Sequence, residues 1–473
     1  MHTAFPWAAF LSEGAFKQVF RVWCAARNRM EAISVMDVEA IAKCGEYYVV
    51  KQEAHCACLL SQLVQTAVCP NYVETFQVFQ HCFAPDPALW GTADNKKPRG
   101  ELPDVPTPPT SGLGGDRRAG VFQYIRMELC DAGDVEEYFR ATEAAVVEAE
   151  LADRPDPDLP MVATTAFQMF MALYTARERL CFRHFDIKLS NFLLTRAGAG
   201  TMRYGFGDEV FTIEAPFVVK LADYGTAISC TDNRSSCITV NQFTTLENTP
   251  PDFLYLGDAA TQDFEADTWS LGLCVLHLFT GDRPYDEVYA GVKCPPALRD
   301  ALLKVYSTKV GKKKAAAGRP PFTLMQHALD MFGDEILLDT LYRYVVMLGL
   351  PSEEELEAND LAGNPILGLL RAVTGDADMP AGPPSRGRTG KAKAAAHEKA
   401  WEAARARYVE DAAQFNIWVG SNTRLVRARA RMDALPGAAD LLRRLLDFIP
   451  ARRISMHDAV THDMFAGFRA GDP

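Results

Sequence analysis

His184-Phe185-Asp186-Ile187-Lys188-Leu189-Ser190-Asn191, with Asp223-Tyr224-Gly225 downstream of the apolar run Phe217-Val218-Val219, decides the reading of this chain. A histidine, a carboxylate, a lysine and an amide stand at fixed offsets in one stretch. A second carboxylate then sits two residues before a glycine, beyond a hydrophobic strand. A lone His-x-Asp would read best as a buried structural histidine. The complete ordered set does not reduce to that.

The pattern H-x-D-x-K-x-x-N followed by D-[FYL]-G resembles the catalytic loop and metal-binding turn of the eukaryotic-type protein kinase superfamily, Ser/Thr type. The resemblance implies an α+β, two-lobed fold: a small β-rich N-lobe with one main helix and a larger, mainly helical C-lobe. It implies ATP and Mg2+ as cofactors and a protein hydroxyl as acceptor. Phosphoryl transfer needs a carboxylate to orient the attacking hydroxyl, oxygen ligands for magnesium and a cation on the phosphates. In those roles the resemblance casts Asp186 as the base, Asn191 and Asp223 as metal ligands, and Lys188 as a cation on the transferring phosphate.

Composition bounds the rest. The 473 residues suffice for two or three average domains, and 48% hydrophobic content supports a sizeable core. Forty-nine Lys and Arg against 61 Asp and Glu give a net charge of −12. That argues against a general nucleic-acid binder and mildly favours basic partners. No window approaches ~20 uninterrupted apolar residues, so no membrane span is expected. The first seven residues lack the basic-then-apolar order of a signal peptide. The twelve cysteines form no C-x-x-C pair and read as reduced thiols of an intracellular protein, cytoplasmic or nuclear. His55-Cys56-Ala57-Cys58 falls in a helical stretch with no second ligand pair and reads as structural. Oligomeric state leaves no trace in the sequence.

Residues 11–38 alternate as strands of a hairpin sheet do, 46–66 carry apolar positions at helical spacing, and 72–79 and 121–129 are strand-like. Residues 94–120, rich in Pro, Gly and charge, read as a mobile surface insertion. Beyond residue 130 the pattern is mainly helical, with 164–180 a long amphipathic candidate. Residues 195–212 read as an extra hairpin, 309–321 and 376–396 as solvated low-complexity loops, and 397–430 as a charged helix. The expected division is a small lobe over 1–130, inserted at about 91–120, and a large lobe over 131–473, inserted at about 195–212, 305–321 and 376–396.

The kinase resemblance runs nearly end to end. Asn248-Thr249-Pro250-Pro251-Asp252 is similar to the end of an activation segment, with Pro-Pro-Asp for Ala-Pro-Glu. Ala266-Asp267-Thr268-Trp269-Ser270-Leu271-Gly272 is similar to the central helix of the large lobe, where Asp267 would hold the catalytic-loop backbone. Pro450-Ala451-Arg452-Arg453 resembles a late P-x-x-R motif whose Arg453 would pair with Asp252.

In the small lobe the lysine is displaced. The Gly-rich loop G-x-G-x-x-G-x-V is matched by Ser12-Glu13-Gly14-Ala15-Phe16-Lys17-Gln18-Val19, where only the middle glycine, Gly14, remains and Lys17 takes the third position. Ala32-Ile33-Ser34 aligns with the strand that usually carries the lysine, and Ser34 stands in its place. This pairing resembles the with-no-lysine kinases, whose loop lysine reaches the same phosphates from the neighbouring strand. Adjacent strands lie ~4.8 Å apart, a gap that a lysine stem can bridge. Glu53, nineteen residues after Ser34, is the expected helical partner. The competing reading makes Lys17 a solvated loop lysine and the chain a nucleotide-binding pseudokinase that acts as a scaffold.

For the nucleotide pocket the resemblance implies Met127 as gatekeeper, Glu128 and Cys130 on the adenine edge, and Val19, Ala32 and Leu193 around the ring. Asp134 is placed on the ribose, with Asp131 as the alternative. Lys188 and Thr245, the latter seven residues before Asp252, are Ser/Thr-kinase features. Ser190 stands where some basic-directed kinases carry a glutamate. Phe185 replaces the arginine that usually receives an activation-loop phosphate, although Thr231, Ser235, Ser236 and Thr239 are available as phosphosites. The wording of the loop also resembles kinases of large DNA viruses and of some protists, which would put the protein in a host cell or virion if viral.

Overall fold

A computed structural model describes residues 4–96, 118–148, 159–229, 248–260, 263–281, 292–307, 323–382 and 387–469. Thr245, the four candidate phosphosites, the low-complexity stretch 309–321 and most of the insertion 94–120 lie outside the described residues.

The N-terminal strands form one antiparallel sheet: β1 (Trp7–Glu13), β2 (Gln18–Cys24), β3 (Arg29–Asp37), β4 (Thr75–Phe83) and β5 (Ala119–Glu128), in the order β1-β2-β3-β5-β4. β3 is buried along most of its length because both faces of the sheet are covered. On one face Phe10, Phe20, Ile33 and Tyr124 pack beneath Trp90. On the other, Met36 and Ile125 pack on Ile41 of α1 (Val38–Lys43) and Val50 of α2 (Tyr47–Gln65). Trp90 ends the one-turn α3 (Pro87–Trp90). Ser34 and Ala32 share the α2 face with Met36, because strand side chains alternate.

Two boundaries differ from the sequence reading. α1 follows β3 at once, because the Asp37 carboxylate accepts from the Ala40 amide and caps a helix. The strand expected over 72–79 starts at Thr75; Asn71 and Tyr72 hydrogen-bond instead to Val219 and Ala172 of the large lobe.

The large lobe opens with α4 (Val135–Glu148) and α5 (Leu159–Leu180). By length and composition alone α5 could cross a membrane, but 83% of its apolar window is buried within the lobe. The sequence reading of a half-wet amphipathic helix fails here for a specific reason. The hairpin β7 (Gly200–Phe206) and β8 (Glu209–Ala215) lays Tyr204 and Phe211 on Phe167, and Phe465 closes from the C-terminal end. The short strands β6 (Phe192–Thr195) and β9 (Val218–Leu221) pair antiparallel and flank the catalytic stretch.

Beyond α6 (Pro251–Leu256), α7 (Phe264–Thr280) is buried over nearly its whole length, capped by Asp263 and stopped by Gly281 at φ 73°. Gly272 lets a neighbouring segment approach: a Cβ there would lie 2.8 Å from Leu446 Cδ2. The lobe continues with α8 (Pro296–Tyr306), α9 (Thr323–Phe332), α10 (Asp334–Leu348), α11 (Glu353–Ala358) and α12 (Pro365–Thr374), whose buried residues share one core with Trp269 and Leu273 of α7. They are followed by α13 (Gly387–Ser421), α14 (Thr423–Ala434), α15 (Ala438–Leu445) and α16 (Met456–Val460).

Residues 387–396, read from sequence as a loop, are helical. Their Ala and Lys residues are strong helix formers, and composition alone hid that. The helix expected over 397–430 is two helices, because Asn422 caps α14 through the Leu425 amide.

Candidate active site

The β1–β2 turn is closed by the Gly14 amide, which donates to the Lys17 carbonyl at 2.8 Å. Lys17 therefore enters β2 with its side chain directed at α2. Its ammonium lies 2.6 Å from Glu53 Oε1 and 2.8 Å from Asp223 Oδ1. Glu53 is buried on the sheet side of α2. Asp223 sits at φ 66°, a left-handed backbone that a non-glycine residue holds only where its surroundings enforce it.

One ammonium thus faces two carboxylates. Burial works against the charge on Lys17, but Asp223 and Glu53 outweigh it and push its pKa up. Burial pushes the Glu53 carboxyl up against the pull of Lys17, whereas at Asp223 the pull of Lys17 wins and the carboxyl is held below its ordinary range. We take Lys17 as charged and Asp223 as ionised, because their contact is short and direct.

The catalytic stretch is held from below. Asp267 of α7 accepts the amides of His184 at 2.6 Å and Phe185 at 2.8 Å. Burial pushes the Asp267 carboxyl up, against these two bonds. Phe185 is at φ 62°, so the pair of bonds fixes a backbone that would otherwise relax. His184 Nε2 lies 3.0 Å from the Ala222 carbonyl, and its Nδ1 accepts the Asp186 amide at 3.3 Å. The neutral ring with its proton on Nε2 satisfies both contacts.

The two sides of the loop meet at Asp186. Lys188 Nζ lies 2.7 Å from Asp186 Oδ2, and Asn191 Nδ2 donates to the Asp186 carbonyl at 2.8 Å and to Oδ2 at 3.2 Å. Asn191 has thereby turned its N–H groups toward Asp186, which leaves its carbonyl oxygen as the atom able to ligate a cation. Among the described residues no group of three or more His, Cys, Asp or Glu could hold a metal unaided. An amide oxygen and one carboxylate suit magnesium, which keeps waters and shares phosphate oxygens.

The pocket residues line the opposite side. Ala32 on β3 stands across from Met127 on β5, and Val19 on β2 stands across from Ser34. Leu193 is opposite Lys220 in the β6–β9 ladder and bridges to Asp134. The Cys130 thiol is pushed up to about 12, burial being the main cause, and is protonated. Asp134 Oδ1 accepts the Glu137 amide at 2.8 Å and caps α4. Asp131 accepts from the Arg196 amide at 2.9 Å and guanidinium at 3.3 Å.

Sequence reasoning missed Lys220. Its ammonium lies 2.6 Å from Glu128 Oε1, which also accepts the Glu74 amide at 2.7 Å, so one carboxylate ties β9 to the end of β5. A lysine inside an otherwise apolar strand was the available signal. At the far end of the lobe Arg453 pairs with Asp252, both buried, and donates to the Glu265 carbonyl at 2.9 Å. Removing either partner alone would cost ~3–5 kcal/mol.

Residues 117–320 match the family described as protein kinase domain. Over 188 residues the chain is 27% identical to the serine/threonine-protein kinase hippo of Drosophila melanogaster; the match covers 37% of this chain and 22% of that protein. The chain thus spans about a fifth of the curated relative that it matches. Together with the β-sheet lobe and the helical lobe, these matches give the two-lobed α+β protein kinase fold. Over those residues the chain is similar to protein kinases.

Proposed function

We propose that this chain is an ATP- and magnesium-dependent protein kinase acting on serine and threonine hydroxyls, with Lys17 in the role that a third-strand lysine usually fills. The observation that carries the reading is the Lys17 ammonium at 2.6 Å from Glu53 and 2.8 Å from Asp223. Magnesium, which Asn191 and Asp223 would hold, would neutralise charge on the phosphates.

The chain's own groups do the rest. Asp186 orients the acceptor hydroxyl and takes its proton. Lys188, at 2.7 Å from Asp186, stands where it can follow the charge on the transferring group. Lys17, fixed by Glu53, supplies a cation to the phosphates, while Asn191 and Asp223 offer oxygens to the metal. Ser/Thr preference rests on Lys188 and Thr245 by resemblance.

A second reading, a nucleotide-binding pseudokinase acting as a scaffold or allosteric partner, is favoured by one contact. Lys17 occupies a carboxylate oxygen of Asp223, and that contact must open before the oxygen can ligate a cation. Asp186→Asn separates the two readings. It should leave nucleotide affinity unchanged and lower turnover of labelled ATP on protein and peptide substrates by ~10²-fold or more. Wild type that binds ATP yet transfers no more phosphate than Asp186→Asn would make the scaffold the better reading.

A further inference from the structure

Lys220 stands between Val219 and Leu221 in an otherwise apolar strand, and it is buried. A buried lysine is costly unless its charge is used. The two-stranded ladder shows what lies beside it. Leu193 is directly opposite Lys220, and opposite residues of an antiparallel pair share a face. That face is the less covered one: Leu193 is half-buried, whereas Phe192 and Leu194 are buried. The Lys220 stem thus runs beside the residue expected beneath the nucleotide base. Its ammonium ends 2.6 Å from Glu128 Oε1.

Glu128 is the last residue of β5, and it is held at two points. Its amide donates to the Glu74 carbonyl at 2.9 Å, and its Oε1 accepts the Glu74 amide at 2.7 Å. Those two bonds stay within the small lobe, whereas Lys220 grips the same oxygen from the large lobe. Cys130, two residues on, is close enough for both charges of the pair to act on its thiol. A buried ion pair adds little to stability, because desolvation costs about what the attraction returns, and apolar residues of the same volume serve a fold as well. What the pair supplies is a fixed position for the end of β5.

We propose that Lys220 is a positioning residue for base specificity: through Glu128 it holds the end of β5 in an orientation that takes adenine and rejects guanine. The Glu128 carbonyl is the acceptor expected at the base edge. Adenine presents an amino donor where guanine presents a carbonyl oxygen. An acceptor fixed there pairs with the first and faces a second acceptor in the other, which leaves buried polar groups unpaired. A segment free to turn would relieve that conflict and give up part of the bond to adenine. The role rests on nucleotide binding as proposed above, and it holds whether or not the chain transfers phosphate.

Isothermal calorimetry with ATP and with GTP, each with magnesium, tests it without any transfer. Wild type should prefer ATP. Lys220→Met should lower the ratio of ATP to GTP affinity about ten-fold, mainly by weakening ATP. Lys220→Arg, which can keep the ion pair, should hold the ratio within about three-fold of wild type. Thermal melting checks the fold. Should Lys220→Met melt early, the double variant Lys220→Met with Glu128→Gln decides, because it leaves no unpaired buried charge and its amide oxygen still accepts from Glu74. It should show the same lowered ratio. Variants in which both affinities fall by one factor, or neither falls, would have lost packing alone, and the proposal would be overturned. Equal affinity of wild type for ATP and GTP would overturn it too. Wild type that binds neither nucleotide would contradict nucleotide binding itself, a failure visible before any variant is made.

Discussion

The Lys17 ammonium stands 2.6 Å from the Glu53 carboxylate although it comes from the mouth of β2 and not from β3. Val19, two residues further along β2, lies directly across from Ser34. Lys17 thus stands one strand sideways from Ser34 and about two residues along, an offset well within the span of a lysine stem.

Ser34 has no catalytic work in this arrangement. Its hydroxyl is buried and has no hydrogen-bond partner among the described residues. An unsatisfied buried hydroxyl is a cost, so Ser34→Ala should leave kcat/KM within about two-fold and leave stability unchanged or raise it by up to ~1 kcal/mol. Steady-state kinetics and thermal melting test both parts. A ten-fold loss of rate would assign Ser34 a role that the geometry does not give it.

Acid should weaken the small lobe through Glu31. Burial alone would push its carboxyl up, but hydrogen bonds from Arg126 and Arg29 outweigh burial and hold it below the ordinary carboxylate range. Its contribution to stability is therefore complete above the unfolded value of ~4.3 and is lost as pH falls through the lower folded value. Glu31→Gln should cost ~3 kcal/mol at neutral pH, because it leaves Arg126 without its charge partner. The gap in melting temperature between wild type and variant should narrow below about pH 4. A gap independent of pH would show that packing, and not charge, is what Glu31 supplies.

Activation should not require a phosphate docked at residue 185. Phe185 cannot pair with phosphate; its ring packs on the core around α7, and its amide is held by Asp267. Phosphatase-treated protein should keep most of its activity. A large loss that returns on rephosphorylation would show that another cation receives the phosphate.

Chemistry with fixed spacing was legible in the sequence. The catalytic stretch, the D-x-G turn, Glu53 and the Arg453–Asp252 pair carry their positions in the order of their residues. Asp267 could be named in advance, and it holds the two amides of His184 and Phe185. What stayed hidden depends on who covers whom. α5 reads as amphipathic until β7 and β8 are laid on its outer face. Residues 387–396 read as loop by composition, while their helix propensity pointed the other way. The contact between Asp131 and Arg196 joins two elements, and no local pattern in the sequence links them.

The most direct test of the displaced-lysine account is the single substitution Lys17→Ala, assayed for phosphate transfer from ATP beside wild type, with nucleotide binding measured in parallel. The substitution removes the only cation found between Glu53 and Asp223 among the described residues. Buried Glu53 and half-exposed Asp223 then face each other and the phosphates lose their partner. Transfer should fall by ~10²-fold or more while the chain stays folded. A Lys17→Ala protein that phosphorylates as fast as wild type would contradict the account outright.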